Sequence, residues 1–161
     1  MQELHEHMDI DALDAAILAE IQADGRISVA ALADRIGLSQ APTYRRLRRL
    51  EGVGIVEGYH AKLEPKAVGL GIRALASVKF TTHELQLVEA FERFVLAEPC
   101  VLQCDNVTGE VDYMLTVTTR DLEEYERFTK RIRAVPGVAS VHTHISLRRV
   151  KESFQLPLAV S

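Results

Sequence analysis

Apolar residues recur at helical spacing through the first third of the chain. A first helix is predicted after Asp11, a good N-cap residue, because four apolar side chains then share one face: Leu13, Ile17, Leu18 and Ile21. Gly25 follows where a left-handed residue commonly ends a helix. A second, shorter helix is predicted between its cap, Ser28, and Gly37.

A third helix follows the second after a very short connection. Leu38 and Ser39 leave room for only a tight turn, and helix, brief turn and helix is the spacing of a helix-turn-helix. We expect the Ser39 hydroxyl to cap the third helix. Pro42 falls in its first turn, where a missing N–H costs no intrahelical bond. The alternating, glycine-bounded segment 54–61 then predicts a small hairpin, a wing beside this helix.

Strands alternate with helices from about Gly71 onward. Period-two alternation predicts strands over residues 72–80, 100–108, 113–117 and 138–148. Helical spacing predicts helices over residues 85–96 and 122–132, and a proline follows each of them. The order βαββαβ is that of a ferredoxin-like split unit, so the predicted fold class is α+β, with the helix-turn-helix placed first.

One face of this sheet is predicted to take the helices and the other to stay open. On the first strand the open face mixes charged, polar and apolar side chains: Arg73, Leu75, Ser77 and Lys79. An antiparallel sheet with such a face can meet water or pack on a symmetric copy. We therefore expect a homodimer.

The composition is that of a soluble globular protein, with 161 residues, 47% of them hydrophobic and 26% charged. No apolar run approaches the roughly 20 residues that a membrane-spanning helix needs, and the polar N-terminus is unlike a signal peptide. Cys100 and Cys104 would lie about 13 Å apart along a strand, beyond disulfide reach, so we expect two small buried hydrophobes. These features predict a cytoplasmic protein without a membrane partner.

Positive charge is concentrated in the third helix. The chain carries a net charge of −4, and residues 1–66 hold 8 basic against 11 acidic residues, yet residues 39–50 contain four arginines and no acid. A charge run of this kind can be a solvated basic face. Its place in a helix-turn-helix favours local docking on double-stranded DNA instead.

Helical geometry divides the third helix into two faces. At about 100° per residue, Thr43, Leu47 and Leu50 share one side and should pack on the first two helices. Six other residues are predicted to contact DNA: Gln40, Ala41, Tyr44, Arg45, Arg48 and Arg49. Arg48 lies at an intermediate position between the groove and the flank of the helix.

The residues of this helix have different predicted roles. Gln40, Tyr44 and Arg45 are candidates to reach base edges, because recognition helices usually do so near their N-terminal end. Arg49 is better placed for a phosphate. Arg46 projects beside the core face, so we expect an ion pair with an acid of the first two helices, or a bond to a helix carbonyl, in preference to a DNA contact.

The sequence offers no catalytic or metal-binding constellation. It contains no nucleophile elbow, P-loop or glycine-rich dinucleotide fingerprint. His142 and His144 share one strand face, but no acid or cysteine is placed by spacing to complete a metal site. We expect neither an enzyme nor a resident cofactor.

Three stretches resemble the Lrp/AsnC (feast/famine) transcriptional regulators: DALDAAILAEIQADGRISVAALADRIGLS, RRLRRLEGVGIVEGYHAKLEP and VTGEVDYML. The resemblance covers nearly the whole chain. It implies a winged helix-turn-helix joined to a ligand-sensing βαββαβ domain. It also implies dimers that commonly assemble into octamers, and free amino acids as effectors.

The hairpin between the second and third strands is the candidate effector site. Four residues are assigned to it: Thr108, Gly109, Glu110 and Asp112. Backbone amides around a glycine suit a carboxylate, and an aspartate suits an ammonium, the two groups that every free amino acid presents. The resemblance implies an effector pocket near this hairpin, at an interface between dimers. Alternatively, Gly109 only supplies a positive φ for the turn and Asp112 only opens the third strand, and both interpretations stay open.

Two functions are compatible with these features. The first is a sequence-specific DNA-binding transcriptional regulator that responds to a small effector. The alternative is a small-molecule-binding or catalytic ferredoxin-like protein whose helical N-terminus serves only assembly. Either function has the same predicted organisation: a flexible tail (1–8), a winged helix-turn-helix (9–61), a linker (62–70) and an effector-binding and oligomerisation domain (71–161).

Overall fold

The computed structural model describes residues 10–158, so the predicted tail over residues 1–8 lies outside the described residues. The described chain divides into two compact units. The first contains residues 10–62 and 151–158, and the second contains residues 63–150. These boundaries differ from the predicted ones in two places: residues 63–70 belong to the second unit, where Pro65–Val68 form a 3-10 helix, and residues 151–158 belong to the first.

The first unit is built on three helices, α1 (Ala12–Ala23), α2 (Val29–Ile36) and α3 (Gln40–Gly52). Local side chains start the first two as predicted. The Asp11 carboxylate accepts from the Asp14 amide at 2.8 Å in a capping box, and the Ser28 hydroxyl accepts from the Ala31 amide at 3.2 Å. The three helices enclose a small core of buried apolar side chains: Ile17, Leu18, Ile21, Leu32 and Leu50.

Two glycines flank α2 and play different roles. Gly37 ends α2 in the left-handed conformation, with φ +70°, and its position permits the tight turn into α3. The corresponding prediction for Gly25 is wrong, because α1 ends at an extended Asp24 and Gly25 does not have a positive φ. Gly25 instead leaves space for an aromatic ring: a Cβ atom there would lie 3.2 Å from Cδ1 of Tyr59.

Residues 151–158 pack on the first unit through polar contacts. The Gln22 side chain of α1 accepts from the Leu156 amide at 2.6 Å, and Lys62 pairs with Glu152 at 3.1 Å. The chain therefore passes between the two units twice, at residues 62–63 and again at residues 150–151. Consequently, the first unit is formed by two segments that are distant in sequence.

The second unit is an antiparallel four-stranded sheet with two helices, counted within the described residues. The elements follow the predicted order: β1 (Ile72–Phe80), α4 (Leu85–Leu96), β2 (Val101–Asn106), β3 (Tyr113–Thr119), α5 (Leu122–Arg133) and β4 (Val138–Ile145). The strands lie side by side in the order β2-β3-β1-β4. The predicted α+β class, a helix-turn-helix followed by a ferredoxin-like βαββαβ unit, is confirmed, although β2 and β4 are shorter than expected.

The core of the second unit lies between one face of the sheet and the two helices. Alternate residues of β1, such as Ala76 and Val78, are fully buried against Phe91 of α4 and Phe128 of α5. The opposite face of the sheet stays open to solvent on β4, where His142 and His144 are exposed. Period-two alternation predicted this division because one strand face must be apolar to cover the helices.

Candidate nucleic-acid interface and effector loop

The core of the first unit determines which side of α3 is exposed. Thr43 and Leu50 are fully buried and Leu47 packs against the same core, so the predicted inward face is confirmed. All six predicted DNA contacts are exposed on this helix, although Arg49 also donates to Asp14: Gln40, Ala41, Tyr44, Arg45, Arg48 and Arg49. A helix fixed along one face presents the opposite face as a continuous row of side chains at intervals of three and four residues.

The N-terminal end of α3 differs from the prediction. Ser39 occupies the N-cap position, but its hydroxyl makes no capping bond, so the predicted cap is wrong. The Thr43 hydroxyl donates instead to the Ser39 carbonyl at 2.9 Å, which ties the start of the helix to its second turn. The Ser39 side chain therefore leaves the first-turn amides of α3 available, and amides at a helix N-terminus attract phosphate.

Arg48 stacks on Tyr44 at the centre of the exposed face. Its guanidinium carbon lies 5.2 Å from the centroid of the Tyr44 ring, and Nη1 donates to Glu51 at 2.9 Å. Two neighbours raise the pKa of the Arg48 guanidinium: Tyr44, which has the larger effect, and Glu51. Stacking orients the planar donors of an arginine, so Tyr44 holds the Arg48 guanidinium in a defined orientation beside Arg45.

Two carboxylates of the first unit bind the other two arginines of α3. Arg46 Nη1 donates to Asp11 at 2.7 Å and to Asp14 at 2.9 Å, which confirms the predicted ion pair between Arg46 and an acid of the first two helices. Arg49 also donates to Asp14, a contact that the sequence analysis missed. The missed signal is the spacing: Arg46 and Arg49 are three residues apart, so both reach the same side of the helix.

The predicted wing is wrong, because residues 54–61 form no strand. The segment turns back on α3 instead. The amides of Ile55 and Val56 both donate to the Leu50 carbonyl, at 3.1 and 3.2 Å, and the Tyr59 hydroxyl donates to Glu51 at 3.0 Å. Ile55 and Val56 also pack against the helical core, so their alternation reflects contacts with α3 rather than pairing with a second strand.

The loop between β2 and β3 holds the four predicted effector residues. Thr108, Gly109 and Glu110 are exposed at its tip, and Gly109 has a φ of +124°, a conformation that favours glycine. Within the described residues, the amides of these three residues have no hydrogen-bond acceptor. The tip therefore presents amides that can receive an anionic group.

The Asp112 carboxylate at the end of this loop already has two partners within the second unit. Its Oδ2 accepts from the Phe80 amide at 2.7 Å, and its Oδ1 lies 2.7 Å from Nε2 of His83. The bond to His83, followed by the bond to the Phe80 amide, lowers the pKa of Asp112. The structure thus gives Asp112 a definite place in the fold and brings it close to residues that spacing did not associate with it.

Other parts of the described chain offer few alternative sites. No group of three or more histidine, cysteine or acidic side chains in residues 10–158 could hold a metal ion. None of the helices in that range is long and apolar enough to span a membrane. Burial raises the pKa of Cys100 and Cys104 to about 11, so both described thiols are protonated at neutral pH.

Comparison with known proteins places both units in one family. Residues 10–51 match the AsnC-type helix-turn-helix domain, and residues 73–156 match the Lrp/AsnC ligand binding domain. The chain is 35% identical over 143 residues to the Bkd operon transcriptional regulator of Pseudomonas aeruginosa, covering 88% of this chain and 94% of that protein. It is 34% identical over 150 residues to the DNA-binding transcriptional activator DecR of Escherichia coli K12, covering 92% and 99%.

A solved structure gives the same result. A transcriptional regulator of Neisseria meningitidis, crystallised as an L-Met complex, superposes with a TM-score of 0.87 at 34% identity, covering 91% of this chain and 96% of that one. These matches support the predicted regulator over the alternative of a ferredoxin-like protein with an assembly domain. With an AsnC-type helix-turn-helix and a Lrp/AsnC ligand-binding domain in one chain, the protein belongs to the Lrp/AsnC family of DNA-binding transcriptional regulators.

Proposed function

We propose that this regulator acts in the cytoplasm as a homo-oligomer, binds double-stranded DNA through the exposed face of α3, and responds to a free amino acid. No catalytic step and no resident cofactor form part of the proposal. The observation that carries it is the geometry of α3, whose buried Thr43 and Leu50 leave Tyr44 and Arg45 on the exposed face.

The chemistry of the exposed residues suits the major groove. An arginine can donate two bonds to guanine and a glutamine can make two bonds to adenine, while an alanine methyl can contact the thymine methyl. Arg45, Gln40 and Ala41 supply these three groups near the N-terminal end of the helix. Arg48, oriented by Tyr44, is assigned to the edge of the groove. Arg49 has the weakest assignment of the six, because Asp14 already binds it.

A free amino acid is the proposed effector. The relative from Neisseria meningitidis was crystallised with L-Met, which supports an amino acid for this chain as well. The amides at Thr108, Gly109 and Glu110 are proposed to receive the carboxylate of the ligand. Asp112 is proposed to place this loop against β1 through the Phe80 amide, and it would bind the ligand ammonium only after releasing His83.

The open face of the sheet supports a homodimer. Lys79, His142 and His144 border an open cavity of about 660 Å³ on this face, together with Glu110 of the effector loop. A two-fold copy packed here would bury the face and carry two recognition helices, which is how dimers read half-sites about 34 Å apart along DNA. Assembly of such dimers to an octamer would bring several effector loops into one particle.

A titration with the upstream region of its own gene tests the proposal. Full-length protein should retard this DNA in preference to a random duplex of the same length, and one of the twenty amino acids should change that affinity. A thermal-shift screen identifies the ligand, because saturation at 100 times its dissociation constant stabilises the protein by about 2.7 kcal/mol. Equal binding to both duplexes would refute the DNA role, and no shift with any amino acid would refute the effector.

A further inference from the structure

Two acidic residues of the first unit contact α3 beside its exposed face. Asp14 is almost entirely buried, with 1% of its side chain exposed, whereas Asp11 is half-exposed at 52%. Asp11 binds Arg46, and Asp14 binds both Arg46 and Arg49. Asp14 on α1 thus binds two arginines of α3, and these ion pairs connect the start of α1 to the middle of α3.

The four arginines of α3 consequently fall into two classes. Arg46 and Arg49 have carboxylate partners on another element of the fold. Arg48 pairs only within its own helix, with Glu51 and Tyr44, and Arg45 has no ion-pair partner within the described residues. The four arginines of α3 therefore differ in how readily each can bind a DNA phosphate.

An arginine bound to a buried carboxylate is a poor phosphate ligand. If Arg49 left Asp14 to bind DNA, Arg46 would be the single arginine bound to both Asp11 and the buried Asp14, and incomplete compensation of a buried charge is unfavourable. Arg46 would have to leave two carboxylates. Arg45 faces no such cost, although it borders the same shallow concavity as Asp11 and Asp14.

We infer that Asp11 and Asp14 are positioning residues, which keep Arg46 and Arg49 from the DNA backbone so that affinity depends on Arg45 and the other groove-facing residues. Phosphate contacts supply essentially all of non-specific binding and carry no direct sequence information. Removing two of four arginines from that pool lowers the part of the affinity that does not depend on sequence, on random DNA and on the preferred site alike. These two aspartates would limit the non-specific affinity of the helix-turn-helix, a role that goes beyond DNA binding itself and rests on the proposed docking of α3 on DNA.

Salt dependence gives a readout that a purely structural role would not change in the same direction. Each added phosphate contact steepens the plot of log affinity against log salt by about 0.9, or about threefold in affinity between 50 and 200 mM salt. Asp11→Asn leaves Arg46 and Arg49 with one carboxylate, Asp14, so one arginine can bind a phosphate while Asp14 keeps the other. Asp14→Asn removes the carboxylate that both arginines share, and neither substitution changes side-chain size. We expect both variants to bind random DNA more tightly at 50 mM salt, with a steeper slope by about one, and to bind the preferred site more tightly by a similar factor.

The experiment measures fluorescence anisotropy of full-length protein on two duplexes, one recovered by in vitro selection with the wild type and one scrambled. Asp34→Asn is the matched control, because Asp34 is exposed on α2, makes no ion pair with a described residue and loses the same charge. A double variant, Asp11→Asn with Arg46→Gln, should return the slope to the wild-type value. Circular dichroism confirms that each variant is folded, and the half-exposed Asp11 provides the decisive variant if Asp14→Asn unfolds.

The outcomes separate the inference from the alternatives. A steeper slope in Asp11→Asn that Arg46→Gln removes supports it. An unchanged or shallower slope in folded Asp11→Asn overturns it and leaves Asp11 and Asp14 with a structural role alone. An equal increase in Asp34→Asn also overturns it, because general charge would then explain the effect. A wild type without any preference for the selected duplex would contradict the proposed function instead, which makes the two failures distinguishable.

Discussion

The exposed face of α3 and the loop between β2 and β3 are built in opposite ways. The α3 face is determined by local periodicity: residues three or four positions apart share a side, and Thr43 and Leu50 bury the other side. The loop depends on groups that are distant in sequence, since Asp112 binds the amide of Phe80 and the ring of His83. A helix face can therefore be predicted from spacing, whereas the environment of a loop side chain depends on which strand lies beside it.

The two units should also differ in how they lose stability. Leu50 is fully buried in the small core of the first unit, so Leu50→Ala should destabilise that unit by about 2–5 kcal/mol. Scanning calorimetry of the full chain should show a lower transition for the first unit and an unchanged one for the second. Leu96→Ala is the control, because Leu96 is exposed on α4. Equal shifts of both transitions would show that the two units unfold as one.

The next largest expected effect is the loss of DNA-binding free energy when Arg45, predicted to face the groove, is truncated. Arg45→Ala should cost about 1–3 kcal/mol on the preferred site and much less on random DNA, measured by anisotropy at one salt concentration. Arg127→Ala provides a control, since Arg127 is exposed on α5 in the second unit and pairs only with Glu123 among the described residues. If Arg45→Ala weakened both duplexes equally, Arg45 would be a phosphate contact and the division of α3 would be wrong.

The pH dependence of stability tests the long-range contacts that Asp112 makes. Its pKa lies below the ordinary value of 3.8 in the folded chain, so its ionised form is favoured by folding. The stabilisation is fully present above pH 3.8 and is lost as the pH falls through the lowered pKa. Asp112→Asn should therefore be less stable than the wild type by about 0.5–1.5 kcal/mol at pH 7, the order of one hydrogen bond, because the asparagine oxygen can still accept one.

Denaturant unfolding at a series of pH values checks this expectation. The difference between wild type and Asp112→Asn should shrink towards zero in strong acid, because the wild-type carboxyl is then protonated as well. Asp105→Asn, at an exposed position of β2 in the same sheet, is the control. A difference that stayed constant down to pH 2 would show that ionisation of Asp112 does not stabilise the fold.

The smallest effect concerns the cysteines. Because burial raises the pKa of Cys100 and Cys104 to about 11, the reactive thiolate is scarce at neutral pH. Iodoacetamide should label the native protein slowly at pH 7.5 and the unfolded protein fast, as measured by mass spectrometry. Rapid labelling of native protein would mean that the strand β2 opens locally.

Local signals account for much of what the sequence predicted. Asp11 and Ser28 start helices by bonds to amides three residues away, and Gly37 ends one by its own φ, so a single sequence contains the relevant information. Arg46 was predicted to pair because its position on the helix wheel points at the neighbouring helices. The candidate DNA residues were placed by the same argument and are exposed as it requires, and their contacts with DNA stay a prediction.

Two of the failures have a common physical cause. Gly25 faces the ring of Tyr59, and the segment 54–61 bonds to α3 instead of to itself. In both cases a partner on another element replaced the local one that the pattern suggested. The same holds for Asp14, whose capping position in α1 gave no sign that Arg49 would reach it from 35 residues away. At Ser39 the difference is local, because the Thr43 hydroxyl donates to the Ser39 carbonyl and the Ser39 hydroxyl caps no amide.

The split composition of the first unit has a consequence for how the protein is made and recombined. Gln22 obtains its hydrogen bond from Leu156, so the first unit cannot complete its contacts on the ribosome until synthesis has passed residue 156. A chimera that exchanges only residues 10–62 with a relative would place foreign side chains against residues 151–158. We expect a transplanted first unit to keep these contacts only when both segments are moved together.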